Sequence, residues 1–534
     1  MISNKKSLLA LSVASALTLS GCFSDDDDNN VVVVPPTEPT DPVVVAPELP
    51  DALALVVSAN IVDAATQRVV DANVRFLENG VASQNIVDVD GNAISMLEGT
   101  GGSFAFTKKD DATLTEVTVS VTADGYIGKS FVVNLTAEEG QTVLPVQLAI
   151  TSKNAEGVSD TVVPATIGDD GSSAEAIVAQ TSGKAAAGAN IPAGVILRDA
   201  SGNPVTGQVS VNVSGADAST SAVTAILPEG LNASGAANVE QAVGVANVLV
   251  NSATGSKVKQ FSNPITVTTS IPATTTLNGV PIKTGDTLSL KSHNEDTGVW
   301  TAESTQATVG SFNAETNTYT GSFQTDHLTF FAITRSTPAC TNDMVVNFTG
   351  AAVPSAGLLV TETSSDASAS GYAPGGSSSL RLLSGSLATR YGVSAEATAR
   401  VRVFDFSNNI WFDSVSEVPV CGAVQAELVE PVTYVAETFS LTATCSNDAN
   451  VSVPLTASVV RYSLPGFSAK TAVNLGAGSY QFSDMVEGST YNVSINPRVS
   501  DTNGPVATQT TTITAGGAAE SLNITISCSE VTGA

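Results

Sequence analysis

Five cysteines and two histidines carry the most specific chemistry in this 534-residue sequence: Cys22, Cys340, Cys421, Cys445, Cys528, His293 and His327. Thiols can bridge, ligate a metal or attack, and imidazoles can ligate or move protons. The spacing argues against most of these uses. No Cys-x-x-Cys and no His-Glu-x-x-His occurs, so no zinc or redox motif is written in the chain. His293 lies in the polar stretch LKSHNEDTG and His327 precedes the apolar LTFFAI, and both read as surface or strand-edge residues. No Gly-x-Ser-x-Gly supplies an activated serine. The segment DVDGN at 88–92 begins like a calcium loop, but glycine arrives at Gly91, the sixth position is Ala93 and the twelfth is Gly99. An Asp-Gly hairpin turn is expected there instead. The block Asp25 to Asp28 would hold Ca²⁺ only loosely, because adjacent flexible carboxylates do not preorganise a site. Sugar stacking would fall to Trp300 in TGVWTAES and Trp411 in FSNNIWFDS, whose apolar and β-branched neighbours point to core or hairpin packing. A paired-carboxylate glycosidase needs no local motif and stays open, although two tryptophans are few for an aromatic-lined cleft. No catalytic residue, metal ligand or cofactor is predicted, and the ligand-binding residues are left unassigned.

The first cysteine stands apart from the rest. Lys5 and Lys6 form a positive start, and LLALSVASALTLSG follows as an apolar run of about twelve to fourteen residues. That run is short of the roughly 20 apolar residues of a spanning helix. It ends Leu19-Ser20-Gly21-Cys22, which resembles the lipobox of bacterial lipoproteins. The resemblance implies that the Cys22 thiol is diacylated, that the peptide is cut before it, and that the new amine is acylated. Several acyl chains anchor a protein stably, where a single chain holds it only marginally. In that family an Asp after the cysteine favours retention at the inner membrane. Phe23 stands there instead, which implies the outer membrane.

Residues 23–50, FSDDDDNNVVVVPPTEPTDPVVVAPELP, read as a tether. The aspartates repel one another, and Pro35, Pro36, Pro39 and Pro42 favour extended polyproline II over a sheet. Roughly 28 residues at about 3.1 Å each would span on the order of 80 Å. The composition of the whole chain is that of extended structure, with charged residues at only 14% and Val, Thr, Ser, Gly and Ala dominant. The formal charge of −29 opposes binding to a phosphate backbone and excludes nucleic acid as a partner.

Residues 51–150 alternate with a period of two, as in TEVTVSV, where Val117, Val119 and Val121 share a face. The order SANIVDAATQRVVDANVRFL, then Gly102-Ser103-Phe104-Ala105-Phe106, then Ala123-Asp124-Gly125-Tyr126 resembles the carboxypeptidase-regulatory-like, or transthyretin-like, domain. An insertion, ENGVASQNIVDVDGNAISMLEG, departs from the tightest versions. The resemblance implies a seven-stranded Greek-key sandwich and no enzyme activity. Residues 151–337 continue in β pattern, with AGVILRD, the turn cluster DASGNPV and GQVSVNV, and form one large sandwich or two small ones.

Residues 338–430 and 431–534 look like a pair, each opening and closing on a cysteine-bearing strand. With Cys22 set aside, four cysteines remain in an oxidising compartment. Leu441, Ala443 and Cys445 share a face, as do Leu522, Ile524, Ile526 and Cys528, and Cys340 has the parity of Met344, Val346 and Phe348. Bridges Cys340–Cys421 and Cys445–Cys528 are expected, with Cys421–Cys445 as the main rival. Each expected bridge closes about 80 residues and contributes roughly 4 kcal/mol in the chain-entropy model.

The expected fold is all-β, tandem β-sandwiches of Greek-key or Ig-like type after a signal peptide (1–21) and a lipid-anchored, disordered tether (22–50). The domains are a regulatory-like sandwich (51–150), a β-rich region (151–337), a disulfide-bonded sandwich (338–430) and an Ig-like disulfide-bonded sandwich (431–534). The expected function is that of a non-enzymatic, lipid-anchored outer-membrane protein presenting these modules for adhesion, scaffolding or ligand binding. Its partners would be the membrane, through the anchor, and a polysaccharide or an envelope or surface protein. The alternative is a carbohydrate-binding surface lipoprotein, with a hydrolase using a non-local carboxylate pair behind it. Periplasmic and cell-surface exposure are both left open.

Overall fold

The structure is a computed structural model that describes residues 42–137, 141–517 and 520–531. The expected lipidation residue Cys22, the signal peptide and most of the tether lie outside the described residues. The last part of the expected tether departs from an extended coil. Val43–Val45 is a strand, and Val44 and Leu49 pack against the core of the last sandwich. The β-branched triplet has prolines only outside it, so it is free to extend and to bury an apolar face.

The first sandwich sets Glu116–Thr122 between Lys129–Asn134 and Asn73–Glu78 in one sheet. Its second sheet runs Ile86–Val87, Ser103–Lys108, Val56–Asp63, Val143–Ser152 and Tyr126–Ile127. Val117, Val119 and Val121 point inward, as their alternation requires. Phe104 and Phe106 of the Gly-x-Phe-x-Phe strand meet Phe76 with ring centroids 6.1 and 4.9 Å away. Gly102 precedes them at φ +82°, and a Cβ there would stand 2.7 Å from that of Val69, so only glycine fits this turn.

Region 151–337, for which one or two sandwiches were expected, is built on one 12-stranded sheet around its main core, with the small hairpin Thr276–Leu277 and Val280–Pro281 beside it. The strands run from Val158–Ile167 at one end to Ile177–Gln180 at the other. The sheet folds back on itself, and Ser159 Oγ near one end donates to Ala185 O near the other at 2.6 Å.

The third sandwich faces Ser379–Leu383, Met344–Gly350 and Ala423–Leu428 against a five-stranded sheet that includes Leu358–Thr363, Ser368–Ala373 and Thr398–Phe404. The fourth opposes sheets built on Tyr434–Cys445 and on Thr490–Asn496.

The first, third and fourth sandwiches share one device. In each, an opening strand pairs in parallel with the closing strand: Val56–Asp63 with Val143–Ser152, Met344–Gly350 with Ala423–Leu428, and Tyr434–Cys445 with Glu520–Ile526. The two disulfides lock that pairing. Cys340–Cys421 sits at the N-terminal ends of its strand pair and Cys445–Cys528 at the C-terminal ends, with Cα separations of 5.5 and 5.4 Å. The rival pairing of Cys421 with Cys445 is not formed.

The sandwiches are not beads on a string, because the first touches all the others. Lys129 Nζ donates to Thr224 O and Ala225 O of the second at 3.2 and 3.0 Å. Arg390 of the third clasps both carboxylate oxygens of Glu116. Asn60 exchanges hydrogen bonds with the backbone of Ala469 in the fourth at 3.0 and 2.8 Å, and Arg461 Nη2 donates to Ala59 O at 3.3 Å. All eight residues of Val56–Asp63 are consequently buried, its outer polar face included.

Candidate functional site

Among the described residues, the cysteines, the tryptophans and the DVDGN turn are engaged in structure. The four cysteines among the described residues are bridged in pairs. Trp411 is 3% exposed, stacks on Tyr434 at 5.8 Å and donates to its hydroxyl, which in turn donates to Asp405 at 2.8 Å. Trp300 Nε1 donates to Glu229 O at 3.2 Å, and its ring meets Phe330 edge-on. Both indoles are therefore committed to packing. No group of three or more metal-ligating side chains occurs among the described residues.

The DVDGN segment forms a turn closed on its own aspartate. Asp88 Oδ1 accepts from the amides of Asp90 and Asn92 at 2.9 and 2.8 Å, and Asn92 Nδ2 donates to Asp88 Oδ2. The same arrangement recurs at Asp199 with Asn203 and at Asp405 with Asn409. The three stretches DVDGN, DASGN and DFSNN thus share an aspartate whose oxygens serve the turn.

His327 is half-exposed, 3.3 Å from Glu303 and 3.2 Å from Asp326. His293 corrects the expectation of a surface residue, being 1% exposed. It is the last buried position of Thr287–Asn294 before the polar turn begins, and Trp300 and Phe330 lie opposite it on neighbouring strands. The outer face of the sheet is covered here by Ile127 of the first sandwich and by the helix Ala222–Ile226, so polar neighbours in sequence do not mean exposure. Neither ring nitrogen makes a hydrogen bond of normal geometry. Burial pushes the imidazole down to about 4, against a smaller opposing influence of the Gly298 backbone. Below the ordinary value of 6.5 the unfolded chain takes up a proton that the folded chain refuses. Stability is therefore lost as pH falls from 6.5 toward 4, by about 3 kcal/mol in all. His293→Phe is expected to remove that loss, measured as denaturant midpoints across this pH range.

A cleft of about 710 Å³ lies between the first and third sandwiches. The third sandwich contributes the outer face of its five-stranded sheet. Cross-strand register sets Ser370, Thr361 and Arg402 in one row and Ser368, Thr363 and Arg400 in the next. Beside them Leu359, Phe404 and the half-buried Tyr372 form an apolar patch. Across the cleft Gln67 is 7% exposed, and its Oε1 has no partner.

The cations in the lining are Lys129, Arg381, Arg390 and Arg402, against the acids Glu116 and Glu229. Both acids are engaged: Glu116 by Arg390, and Glu229 by the Val132 amide at 2.7 Å. Asp413 binds Arg400 through two contacts of 2.8 and 2.6 Å and leaves Arg402 Nε at 3.8 Å. Arg402 Nε is buried without a hydrogen bond, and desolvation draws its guanidinium below the ordinary value. The individual residues of this cleft carried no motif. The only signal in the sequence was the run of Thr and Ser alternating with core positions on adjacent strands.

No family model matches the chain, and no curated protein does. Among solved structures, the Bacillus anthracis TIE protein aligns over 70% of this chain at 10% identity and a TM-score of 0.12, and the chain spans 58% of its length. The major pilin subunit BcpA of Bacillus cereus aligns at 10% identity over 89% of this chain and 99% of its own, with a TM-score of 0.13. The major pilin SpaD of Corynebacterium diphtheriae aligns at 9% identity over 90% and 98%, with a TM-score of 0.14. Similarity at this level carries no functional argument.

Proposed function

We propose that this chain is a non-catalytic display and scaffolding protein, held at the outer membrane by lipid on Cys22. The observation that carries the reading is Leu19-Ser20-Gly21-Cys22 followed at once by an acidic, Pro-rich stretch and then by an all-β body. The body supports it in kind. Its distinctive polar residues, Asn60, Lys129, Glu229 and Arg461, join sandwich to sandwich instead of facing a reaction centre. The hydrolase alternative calls for two free carboxylates at a cleft, and the two acids lining the cleft between the first and third sandwiches are tied to Arg390 and to the Val132 amide. Metabolic labelling with a palmitate analogue tests the anchor. The native chain is expected to incorporate label and Cys22→Ala to lose it, and equal labelling of the two would refute the reading.

A further inference from the structure

We propose that the cleft between the first and third sandwiches binds a carboxylate-bearing oligosaccharide. This goes beyond the display reading and stands or falls separately from the lipid anchor.

Three observations carry it. The first is charge. In a chain with 22 cations and 51 acids, this cleft has more cations than acids in its lining, and its acids are already paired. Arg402 is left with the second share of a carboxylate that Arg400 already holds, and Arg381 reaches Asp343 only at 3.9 Å. A guanidinium under-supplied in this way is suited to a carboxylate, which it can take through two parallel hydrogen bonds.

The second is the hydroxyl content. Ser370 and Thr361 lie in one row with Arg402, and Ser368 and Thr363 occupy the next row. Rows on one face of a strand repeat every two residues, about 6.8 Å. Hydroxyls both donate and accept, which matches the hydroxyl-rich edge of a sugar chain. The unpartnered Gln67 Oε1 on the facing wall adds an acceptor.

The third is the adjoining half-buried Tyr372 ring, backed by the buried Leu359, which offers an apolar face to the C–H side of a sugar ring. A peptide fits less well. It would bind by adding a strand to an edge, and the edge strand Ser368–Ala373 runs alongside Val143–Ser152 of the first sandwich.

The test is calorimetric titration of the detergent-solubilised full chain with a hexamer of α-1,4-linked galacturonate, its methyl ester and hexaglutamate. The galacturonate hexamer is expected to bind, with affinity falling as salt rises. The methyl ester and the Arg402→Gln variant are each expected to weaken binding by about tenfold or more. Ser370→Tyr, which fills the cleft while keeping every charge, is expected to weaken it comparably, with thermal melting confirming that each variant is folded. Absence of binding, equal affinity in Arg402→Gln and Ser370→Tyr, or equal affinity for hexaglutamate would each overturn the proposal.

Discussion

Cys445→Ala together with Cys528→Ala is expected to cost the last sandwich roughly 4 kcal/mol. The bond spans a sequence separation of 83 residues, so the oxidised unfolded chain is denied a large set of open conformations. The position of the bond adds a local reason. Among the described residues the closing strand Glu520–Ile526 pairs only with Tyr434–Cys445, and the bridge fixes the C-terminal ends of that parallel pair. Hydrogen exchange should show Glu520–Ile526 losing protection first, with Tyr434–Cys445 following. Thermal scans should show the melting point lowered, and unchanged protection would contradict the account.

Glu362→Leu is expected to act in the opposite direction, stabilising the third sandwich by about 3 kcal/mol at neutral pH and above. Glu362 is 0% exposed, and neither carboxyl oxygen has a hydrogen-bond partner. Its neighbours across the sheet are Ala369 and Val401. Desolvation alone pushes the carboxyl up to about 7 from an ordinary 4.5. Between those values the folded chain holds a proton that the unfolded chain has released. Stability therefore falls as pH rises from 4.5 to about 7, by about 3 kcal/mol in total. Glu362→Gln should abolish this slope, because the amide does not titrate. Denaturant midpoints between pH 4.5 and 8 measure it, and a native chain with no slope attributable to Glu362 would contradict the assignment. The slope has the opposite sign to that of His293, so the second and third sandwiches should respond to acid in opposite senses.

The strands were legible because one face of each sandwich meets a core. Val117, Val119 and Val121 alternate, and Leu441, Ala443 and Cys445 carry their parity straight into the disulfide. The same rule misleads where an outer face is covered by another sandwich. In SANIVD, the polar Ser58 and Asn60 alternate with the core residues Val57, Ala59 and Ile61, yet both are 2% exposed beneath the fourth sandwich. His293 reads as part of a turn for the same reason, since its cover comes from residues far away in sequence. Glu362 was readable in principle, since it shares the inward parity of Leu358 and Val360 in LLVTET. Nothing local reveals, however, that such a carboxyl has no partner. The cleft depends on how two sandwiches dock, and strand periodicity is silent about docking.

The most direct test of the central claim is fractionation of cells expressing the native chain or Cys22→Ala, with outer and inner membranes and soluble fractions separated. The account predicts the native chain in the outer membrane and the variant, folded and disulfide-bonded, in the soluble fraction. A variant that remains with the outer membrane, or a native chain recovered as soluble, would contradict it.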